Sequence, residues 1–583
     1  MMARYSRQPP KSEPSDRGES PPPAYSRQPP PSQPRRSEQT PLLLHYVVER
    51  RPPPPRDRER DQPGPLITAQ DFEGFIYFFI GAAIFFLVIF VLLRYLPNLG
   101  MLFPPHAIPP QPPVFSIAII GAGPAGISVA RHLHHKAVLR NIHLNITLFE
   151  SAPLIGGQLA LNASTGGPVF PHDDRTQDPI SAEDITGTAL LWANPLFTKT
   201  SEEVLGDKVE FSELPSQQVS YFSGEHVVAE TTRPYGKTPM MNWLGLIWRY
   251  GSSVWSASGM AKDGGDIRDR FVDAPLTSDI MQLMISLGIM ELAQRPAEDA
   301  LNDRGIGGAY VTDILGPQVE RAHSQKIADI NAYAMTLAAF QEDSANAYIG
   351  GELIDRLEQI VSTTGATVHT TTEVTGLKYQ QIDEDKSAWL VRYNTPASSW
   401  LQAEAFDKVV IAAPSFFDLY HGASAEEVEA ASALTYSAAH VTFFTVSTRI
   451  NPDVYGNVDQ VLFLEEQDEG SSLKGVRELA FVREIVQIGD NGDKVVEYLY
   501  RALSDSDATE QLRQLDLGIT WMYQARLEKA YPYLYPLSRF PSFKLSDQGL
   551  WWTSAIHTVA NTVDMSWLAG KIVAEEVIKD IAK

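Results

Sequence analysis

The sequence predicts an α/β fold in which a dinucleotide-binding parallel sheet is joined to a mixed α+β substrate domain, with a disordered tail and one apolar helix before them. Three observations lead to this prediction. The chain has 583 residues, enough for about three or four units of roughly 150 residues each. Its first 73 residues contain 17 of the 42 prolines, and an uncharged apolar run follows them. A strand-like run, a glycine-rich turn and a helix-like run then open the remaining chain.

Composition excludes several classes of function. The chain is 44% hydrophobic and 20% charged, which is typical of a globular enzyme. Its net charge of −23 repels nucleic acid, so no nucleic-acid partner is predicted. It has no cysteine, which excludes disulfides, thiolate nucleophiles and cysteine zinc sites. No metal site is predicted either, because His172, His323 and His557 lack the spacing of metal ligands and are expected to be structural or solvated.

Residues 1–73 are predicted to form a disordered, Pro-rich tail, because they carry almost no periodic apolar pattern. The tail contains a near-duplicate, residues 5–14 and 25–34, which either drifted after a duplication or binds a proline-recognising module. Residues 38–43, Glu-Gln-Thr-Pro-Leu-Leu, resemble the acidic di-leucine signals that sort membrane proteins to vacuoles or lysosomes. A sorting adaptor is therefore another predicted partner of the tail.

Residues 74–93 are 20 apolar residues without a charge, the length that crosses a bilayer as one helix. There are 12 Lys and Arg residues before this run but only Arg94 in the 37 residues after it, which predicts a cytosolic tail and a lumenal C-terminal region. Residues 94–113 are predicted to be a Pro-rich linker. We therefore expect a single-pass protein of the vacuole, the lysosome or another endomembrane, with Asn162 in an Asn-Ala-Ser sequence as a glycosylation candidate.

The glycine-rich turn follows a predicted buried strand, Val114–Ile120, and precedes a helix-like run. Gly121 allows the tight turn, Gly123 lets a pyrophosphate approach the backbone, and Gly126 allows close packing of the helix. The N-terminus of that helix presents free N–H groups to the phosphates. The residues of this turn that are predicted to bind a dinucleotide are Gly121, Ala122, Gly123, Pro124, Ala125 and Gly126.

A second predicted strand, residues 142–149, ends at Glu150. The ribose 2′-hydroxyl of a dinucleotide requires an acid at this strand end, and the same acid disfavours a 2′-phosphate. The alternative is a solvated charge at the end of a strand. These features alone leave FAD and NAD open as cofactors.

Three later segments resemble the amine-oxidase-like superfamily of flavoproteins. The Gly-Gly-Gln sequence six residues after Glu150 is similar to the GGR loop that follows the ribose acid in that superfamily, with glutamine in the place of arginine. Residues 365–377 are similar to the strands that return to the adenine side, and residues 406–414 are similar to the buried strand that follows. The resemblance implies FAD as the cofactor, bound also by Gly156, Gly157, Gln158 and Val374.

The superfamily resemblance also implies a glutathione-reductase-like, two-domain architecture over residues 114–583. Its Rossmann-like FAD-binding domain is discontinuous, with pieces at about residues 114–167, 346–414 and 541–583. The substrate domain takes the intervening pieces, at about residues 168–345 and 415–540.

Four short segments narrow the resemblance to the prenylcysteine oxidase (prenylcysteine lyase) family, over Phe115 to Glu576. These segments are residues 329–339, 350–353, 531–536 and 561–566. In similar flavoproteins the N-terminus of the final helix points at the pyrimidine edge of the flavin, where the helix dipole stabilises negative charge. The resemblance therefore implies that Asp564, Met565 and Ser566 contribute to the cofactor site. The alternative is an ordinary amphipathic helix, Met565 to Ile578, that packs on the sheet, and the two interpretations are compatible.

The family resemblance implies an FAD-dependent oxidase that cleaves the thioether of farnesyl- or geranylgeranyl-cysteine, in the turnover of prenylated proteins. Its products would be cysteine, a prenyl aldehyde and hydrogen peroxide, with oxygen as the acceptor. Because the flavin supplies the chemistry, no catalytic residue is predicted. Two alternatives stay open. One is another amine-oxidase-like oxidase or desaturase acting on an amine or an isoprenoid, and the other is a non-catalytic, flavin-binding membrane scaffold.

Two further apolar features have a structural and a functional interpretation. Trp551 and Trp552 either line a prenyl tunnel or belong to the hydrophobic core, and the core is the more frequent place for such a pair. Residues 280–292 and 332–340 are predicted to be apolar helices that either form a wall of the substrate domain or belong to the core, and periodicity supports only the role in the core.

Overall fold

The structure, a computed structural model, describes residues 81, 83–90, 113–160, 194–208, 216–343, 350–383, 386–398, 400–465, 473–488, 491–515 and 517–583. The chain divides into two units, residues 1–107 and 108–583. In the first unit, residues 81 and 83–90 are helical. None of the helices in the described ranges is both long and apolar enough to cross a membrane. The predicted tail, most of the predicted transmembrane helix, nearly all of the linker, and Asn162 lie outside the described residues.

The strands of the second unit, numbered in chain order over the described residues, range from three to fourteen residues in length. They are β1 (Val114–Ile120), β2 (His143–Phe149), β3 (Gln217–Phe222), β4 (Val227–Arg233), β5 (Thr367–His369), β6 (Glu373–Asp383), β7 (Lys386–Asn394), β8 (Gln402–Phe406), β9 (Lys408–Ile411), β10 (Tyr436–Val446), β11 (Gln460–Phe463), β12 (Val476–Ile488), β13 (Lys494–Ser504), β14 (Ile519–Pro532), β15 (Lys544–Ser546) and β16 (Leu550–Trp552).

The α-helices of this unit are numbered in the same way. They are α1 (Pro124–Arg140), α2 (Pro195–Leu205), α3 (Met240–Tyr250), α4 (Ser253–Arg270), α5 (Ile280–Leu287), α6 (Met290–Gln294), α7 (Ala297–Asp303), α8 (Gly316–His323), α9 (Ala332–Asp343), α10 (Gly350–Ser362), α11 (Ala425–Ser432), α12 (Pro452–Tyr455), α13 (Thr509–Gln514) and α14 (Val563–Ile581).

The first sheet is the six-stranded one that carries the glycine-rich turn, with the order β15-β16-β9-β1-β2-β5. Apart from β15, its strands run parallel, and the register aligns Ile120 with Phe149 on one side and with Ile411 on the other. Trp552 is aligned with Ile411 in turn. The carboxyl ends of β1, β2, β9 and β16 therefore meet at one edge, which is where doubly wound sheets bind their ligands.

The second sheet has seven strands in the order β14-β10-β13-β12-β11-β3-β4. Its neighbours pair antiparallel except β11 and β3, which run parallel. Helices α4 and α9 pack closely near it, because Gly264 leaves room for the side chain of Phe340. A third, antiparallel sheet has the order β6-β7-β8.

Several predicted elements differ from the structure in detail. The apolar run 280–292 is not one helix: α5 and α6 are separated at Gly288, whose φ of 70° ends the first of them. The final helix begins before Met565, because the Thr562 side chain accepts a hydrogen bond from the N–H of Met565 and caps the helix. It also extends past Ile578, to Ile581. Trp551 and Trp552 are both 1% exposed and belong to the hydrophobic core.

Candidate cofactor site

The turn after β1 has a conformation that only glycine accommodates. Gly121 has a φ of 104°, and its N–H donates to the carbonyl of Phe149 at 2.7 Å. A Cβ atom at this position would lie 2.5 Å from the carbonyl oxygen of Ala412, which follows β9. The turn is thus held between the two neighbours of β1, at the carboxyl edge of the first sheet.

The next two glycines let α1 pack closely against the turn and leave the N-terminus of the helix open to a ligand. A Cβ atom at Gly126 would lie 2.0 Å from the carbonyl oxygen of Gly121, so helix and turn approach as closely as the fingerprint requires. Gly123 is the N-cap residue of α1 and offers no side-chain oxygen to the N–H groups of the first turn. Pro124 and Ala125 begin the helix there. The free N–H groups and the positive end of the helix dipole suit a pyrophosphate.

Glu150 lies directly after β2 and is 7% exposed. One oxygen of its carboxylate accepts the N–H of Ala122 at 2.8 Å, and the other accepts the N–H of Ala152 at 2.9 Å. The carboxylate therefore also closes the glycine-rich turn. The oxygen that contacts Ala152 also accepts the Ser151 hydroxyl at 3.4 Å, whereas the oxygen that contacts Ala122 keeps a second acceptor position to which a ribose hydroxyl can donate.

The second glycine turn lies against the first. The N–H of Gly156 donates to the carbonyl of Ala122 at 3.0 Å, and a Cβ atom at Gly157 would lie 3.1 Å from the Cα atom of Gly123. The exposed Gln158 donates its amide N–H to the carbonyl of Lys529 in β14. This hydrogen bond joins the second glycine turn to the second sheet. The arginine of a GGR loop would not make the same contact while its side chain pairs with a phosphate.

Val374 lies near the backbone of Glu150. The N–H of Thr372 donates to the carbonyl of Glu150 at 2.8 Å, and Val374 is the second residue of β6, with 8% of its surface exposed. The segment before β6 thus returns to the ribose-binding strand end. This placement fits the adenine-side location that the resemblance implies for Val374.

Asp564 contacts a helix that sequence reasoning missed. Its carboxylate accepts the N–H groups of Leu196 and Phe197 at 2.9 and 2.8 Å, and so caps α2 from the first turn of α14. Burial raises the pKa of Asp564 to about 7, while these two hydrogen bonds oppose the shift. No local signal predicts this contact, because its partners lie more than 360 residues away in the sequence.

Ser566 and Met565 lie in the first turn of α14 in different environments. Met565 is fully buried in the core of the first sheet. The hydroxyl of Ser566 lies 3.1 Å from Nε2 of His557, and Nδ1 of the same ring lies 2.9 Å from the hydroxyl of Tyr436. Burial lowers the pKa of His557 to about 4, so the ring is neutral at pH 7. Sequence reasoning missed Tyr436, the first residue of β10.

The geometry sets the direction in which a dinucleotide lies. The pyrophosphate belongs at the turn after β1, and the ribose acid follows β2. The adenosine half therefore extends towards β2 and β5, and the other half extends the opposite way along the edge, towards β9 and β16. The backbone donors, the ribose acid and the room left at Gly123 together fit a dinucleotide cofactor.

Comparisons with known proteins agree with this site. A FAD-NAD(P)-binding family model matches residues 118–166, and the prenylcysteine lyase family model matches residues 236–583. Prenylcysteine oxidase 1 from Bos taurus is 23% identical over 505 residues, which cover 80% of this chain and 89% of that protein.

Two similar solved structures cover 80% of the chain. An oxidoreductase from Methanosarcina mazei has 13% identity and a TM-score of 0.45, with 100% of that chain covered. A redesigned triple mutant of putrescine oxidase has 12% identity and a TM-score of 0.49, with 99% of that chain covered.

The cofactor of this chain is FAD, and the chain is an FAD-dependent oxidoreductase. The match to the prenylcysteine lyase model spans 348 of the 583 residues, from residue 236 to residue 583. Because this is well over half of its length, the chain belongs to the prenylcysteine lyase family.

Proposed function

We propose that this protein oxidises the thioether of farnesyl- or geranylgeranyl-cysteine to cysteine, a prenyl aldehyde and hydrogen peroxide. The observation that carries the proposal is the family match over residues 236–583, which includes five of the seven strands of the second sheet and the final helix. The proposed reaction is balanced: prenylcysteine, O₂ and water give the aldehyde, cysteine and H₂O₂. Its physiological setting would be the breakdown of prenylated proteins.

The chain's own residues would hold the cofactor and orient the substrate. The N–H groups at the start of α1 would bind the pyrophosphate, for which Gly123 leaves room beside the backbone, and Glu150 would bind the adenosine ribose. When bound, FAD accepts a hydride and passes two electrons to oxygen.

The substrate itself supplies most of the activation. Hydride departs from the allylic carbon bonded to sulfur, since the sulfur lone pair and the adjacent double bond stabilise the positive charge that develops there. Water then adds to that carbon, and the resulting hemithioacetal collapses to aldehyde and thiol. No cysteine nucleophile is needed, and the chain has none. The protein's contribution is to place the carbon in reach of the flavin and to limit the access of water.

Anaerobic mixing of the full-length protein with farnesylcysteine tests the proposal. Loss of the oxidised-flavin absorption band, followed by its recovery and by peroxide formation on admission of oxygen, is the expected result. A cysteine thioether with a saturated chain is the matched control, because it lacks the double bond that stabilises the cation. Reduction by a diamine or a free isoprenoid instead of farnesylcysteine would move the protein to the alternative oxidase classes. Retained flavin that no substrate reduces would favour the scaffold.

We also propose that the protein is a single-pass glycoprotein of an endomembrane, with a cytosolic tail and a lumenal catalytic region. The uncharged run 74–93, the uneven distribution of Lys and Arg around it, and the Asn162 sequence support this topology. Protease added to intact vesicles should remove the tail but spare the rest. An Asn162→Gln variant should lose an endoglycosidase-sensitive shift, and digestion of the catalytic region in sealed vesicles would disprove the topology.

A further inference from the structure

Tyr436, His557 and Ser566 form a line of hydrogen bonds that the proposed reaction does not use. The imidazole of His557 is 9% exposed and lies between the Tyr436 hydroxyl at 2.9 Å and the Ser566 hydroxyl at 3.1 Å. The three residues come from three elements. Tyr436 begins β10 in the second sheet, His557 lies in the 3₁₀ turn Thr553–Thr558, and Ser566 lies in the first turn of α14.

The topology places this line in the flavin half of the site. The turn Thr553–Thr558 directly follows β16, so it starts at the carboxyl edge of the first sheet, on the side of β1 opposite to β2 and Glu150. Helix α14 packs against the fingerprint helix, where Gly570 lies against the carbonyl of Ala125. Since the adenosine half extends towards β2, the flavin half extends towards this turn.

The imidazole gives the line a direction. A neutral ring has one N–H donor and one acceptor nitrogen, so it donates to one hydroxyl and accepts from the other. If Nε2–H donates to Ser566, the Ser566 O–H is left to donate to a ligand. If the Ser566 O–H donates to Nε2, that hydroxyl offers only an acceptor. The Tyr436 hydroxyl contacts the other nitrogen of the same ring, and it favours the first state when it donates to Nδ1 and the second when it accepts from Nδ1.

Burial favours keeping the line uncharged. It lowers the pKa of His557 to about 4 and raises the pKa of Tyr436, so imidazole and phenol are both neutral at pH 7. Donors and acceptors can therefore exchange along the line of hydrogen bonds without placing a charge in the core.

We propose that His557 is a positioning residue of the flavin site, which couples Tyr436 to Ser566 and so sets the hydrogen bond that Ser566 offers to the flavin half of FAD. This inference depends on the cofactor and the direction in which it lies, and it is independent of the thioether substrate. It assigns a role to a histidine that the sequence indicates only as structural or solvated.

Sulfite titration of the FAD-loaded full-length protein tests the inference, because sulfite binding reports the electron affinity of the flavin without any organic substrate. Tyr436→Phe and Ser566→Ala should each change the sulfite dissociation constant by roughly 2- to 10-fold, the worth of one hydrogen bond. Combining them should change it by less than the product of the single effects, because both act through His557. The variants should rank in the same order by the size of the shift in the midpoint potential of their flavin.

Thr558→Val is the matched control. Thr558 is buried in the same 3₁₀ turn, and its hydroxyl donates to the carbonyl of Ala555 at 2.8 Å. This variant should reduce thermal stability and leave the sulfite dissociation constant unchanged. His557→Leu should have the same sulfite dissociation constant as the double variant. If the His557 variant fails to fold, the comparison of the two hydroxyl variants with their combination still tests the proposal. Multiplicative effects of those variants, a control that shifts equally, or a folded protein that binds no flavin would each overturn the proposal.

Discussion

Glu150 shows how one residue can serve both the fold and the ligand. Its carboxylate accepts the N–H groups of Ala122 and Ala152, so it fixes the glycine-rich turn before any cofactor arrives. The remaining acceptor position on the oxygen that contacts Ala122 suits the ribose. A turn that is already held in its binding conformation costs less to order on binding, and this strengthens the affinity for the cofactor.

Glu150→Gln should therefore weaken FAD binding strongly. The amide keeps one acceptor oxygen but turns an NH₂ group towards a backbone N–H donor, so the turn is no longer held in its binding conformation in the free protein. Binding of FAD must then restore that conformation with one buried donor unsatisfied, and this cost weakens the affinity. A penalty of about 1–3 kcal/mol corresponds to a dissociation constant for FAD that rises roughly 5- to 150-fold. Fluorescence titration of the apoprotein with FAD measures it.

Glu373→Gln is the control for this change, because Glu373 is exposed at the start of β6 in the same neighbourhood. Its affinity for FAD should match that of the parent protein. Equal affinities for the Glu150 variant and the parent would remove Glu150 from the cofactor site.

Residue positions were predictable where the signal is local. The glycines after β1 and the acid after β2 follow from spacing alone, because strand, turn and helix are consecutive. Asp564 and His557 could not be assigned in this way. Asp564 caps a helix that begins at Pro195, and the ring of His557 meets Tyr436, which is 121 residues away. Only the folded chain brings such partners together.

At the scale of elements, the close approach of α1 and α14 depends on the small residue Gly570. A Cβ atom at Gly570 would lie 2.4 Å from the carbonyl oxygen of Ala125 and 2.6 Å from Cβ of Ser128. The Ser128 hydroxyl also donates to the carbonyl of Trp567 at 2.6 Å. The final helix is thereby joined to the helix whose N-terminus receives the pyrophosphate.

Gly570→Ala should push these two helices apart. The overpacked methyl group should lower the free energy of unfolding by about 1–3 kcal/mol and should weaken FAD binding as well, because Ala125 lies in the first turn of α1. Urea unfolding and FAD titration are the two measurements.

Gly259→Ala is the matched control in a helix interior. A Cβ atom at Gly259 in α4 meets no atom within 4 Å, so alanine there should leave FAD binding unchanged and raise stability by up to about 1 kcal/mol. If Gly570→Ala behaves in the same way, the close helix contact is not what supports the site.

The elements themselves were predicted unevenly. Strand β1, the glycine turn and α14 were recognisable from apolar runs and the fingerprint. The seven-stranded sheet was not, because its pairing depends on long-range contacts: β3 pairs in parallel with β11, which lies more than 230 residues later. The alternation of apolar and polar residues along a strand predicts its buried face, but it does not identify the strand that pairs with it.

At the scale of the whole molecule, three buried histidines link folding to pH. His132 lies in α1, His323 in α8 and His557 in the 3₁₀ turn Thr553–Thr558. Burial lowers the pKa of His132 to about 3 and the pKa values of the other two to about 4. An unfolded histidine titrates near 6.5, so below that pH the unfolded chain binds protons that the folded chain does not.

The free energy of unfolding should therefore fall as the pH drops from about 6.5 towards 4, the window between the unfolded and folded pKa values. His323 isolates this effect, because Nε2 of its ring contacts the carbonyl of Ala334 at 2.9 Å, far from the cofactor turn in sequence. His323→Gln retains an N–H donor but cannot titrate. Between pH 7.5 and pH 5 this variant should lose about 2 kcal/mol less stability than the parent protein.

Urea unfolding at the two pH values measures this difference directly, and His226→Gln is the control because His226 is exposed in the turn between β3 and β4. That variant should follow the parent protein at both pH values. The pH dependence would have to arise from other groups if His323→Gln loses as much stability on acidification as the parent does. A smaller loss confined to His323→Gln would show that a neutral histidine, held away from water, makes the folded chain sensitive to acid.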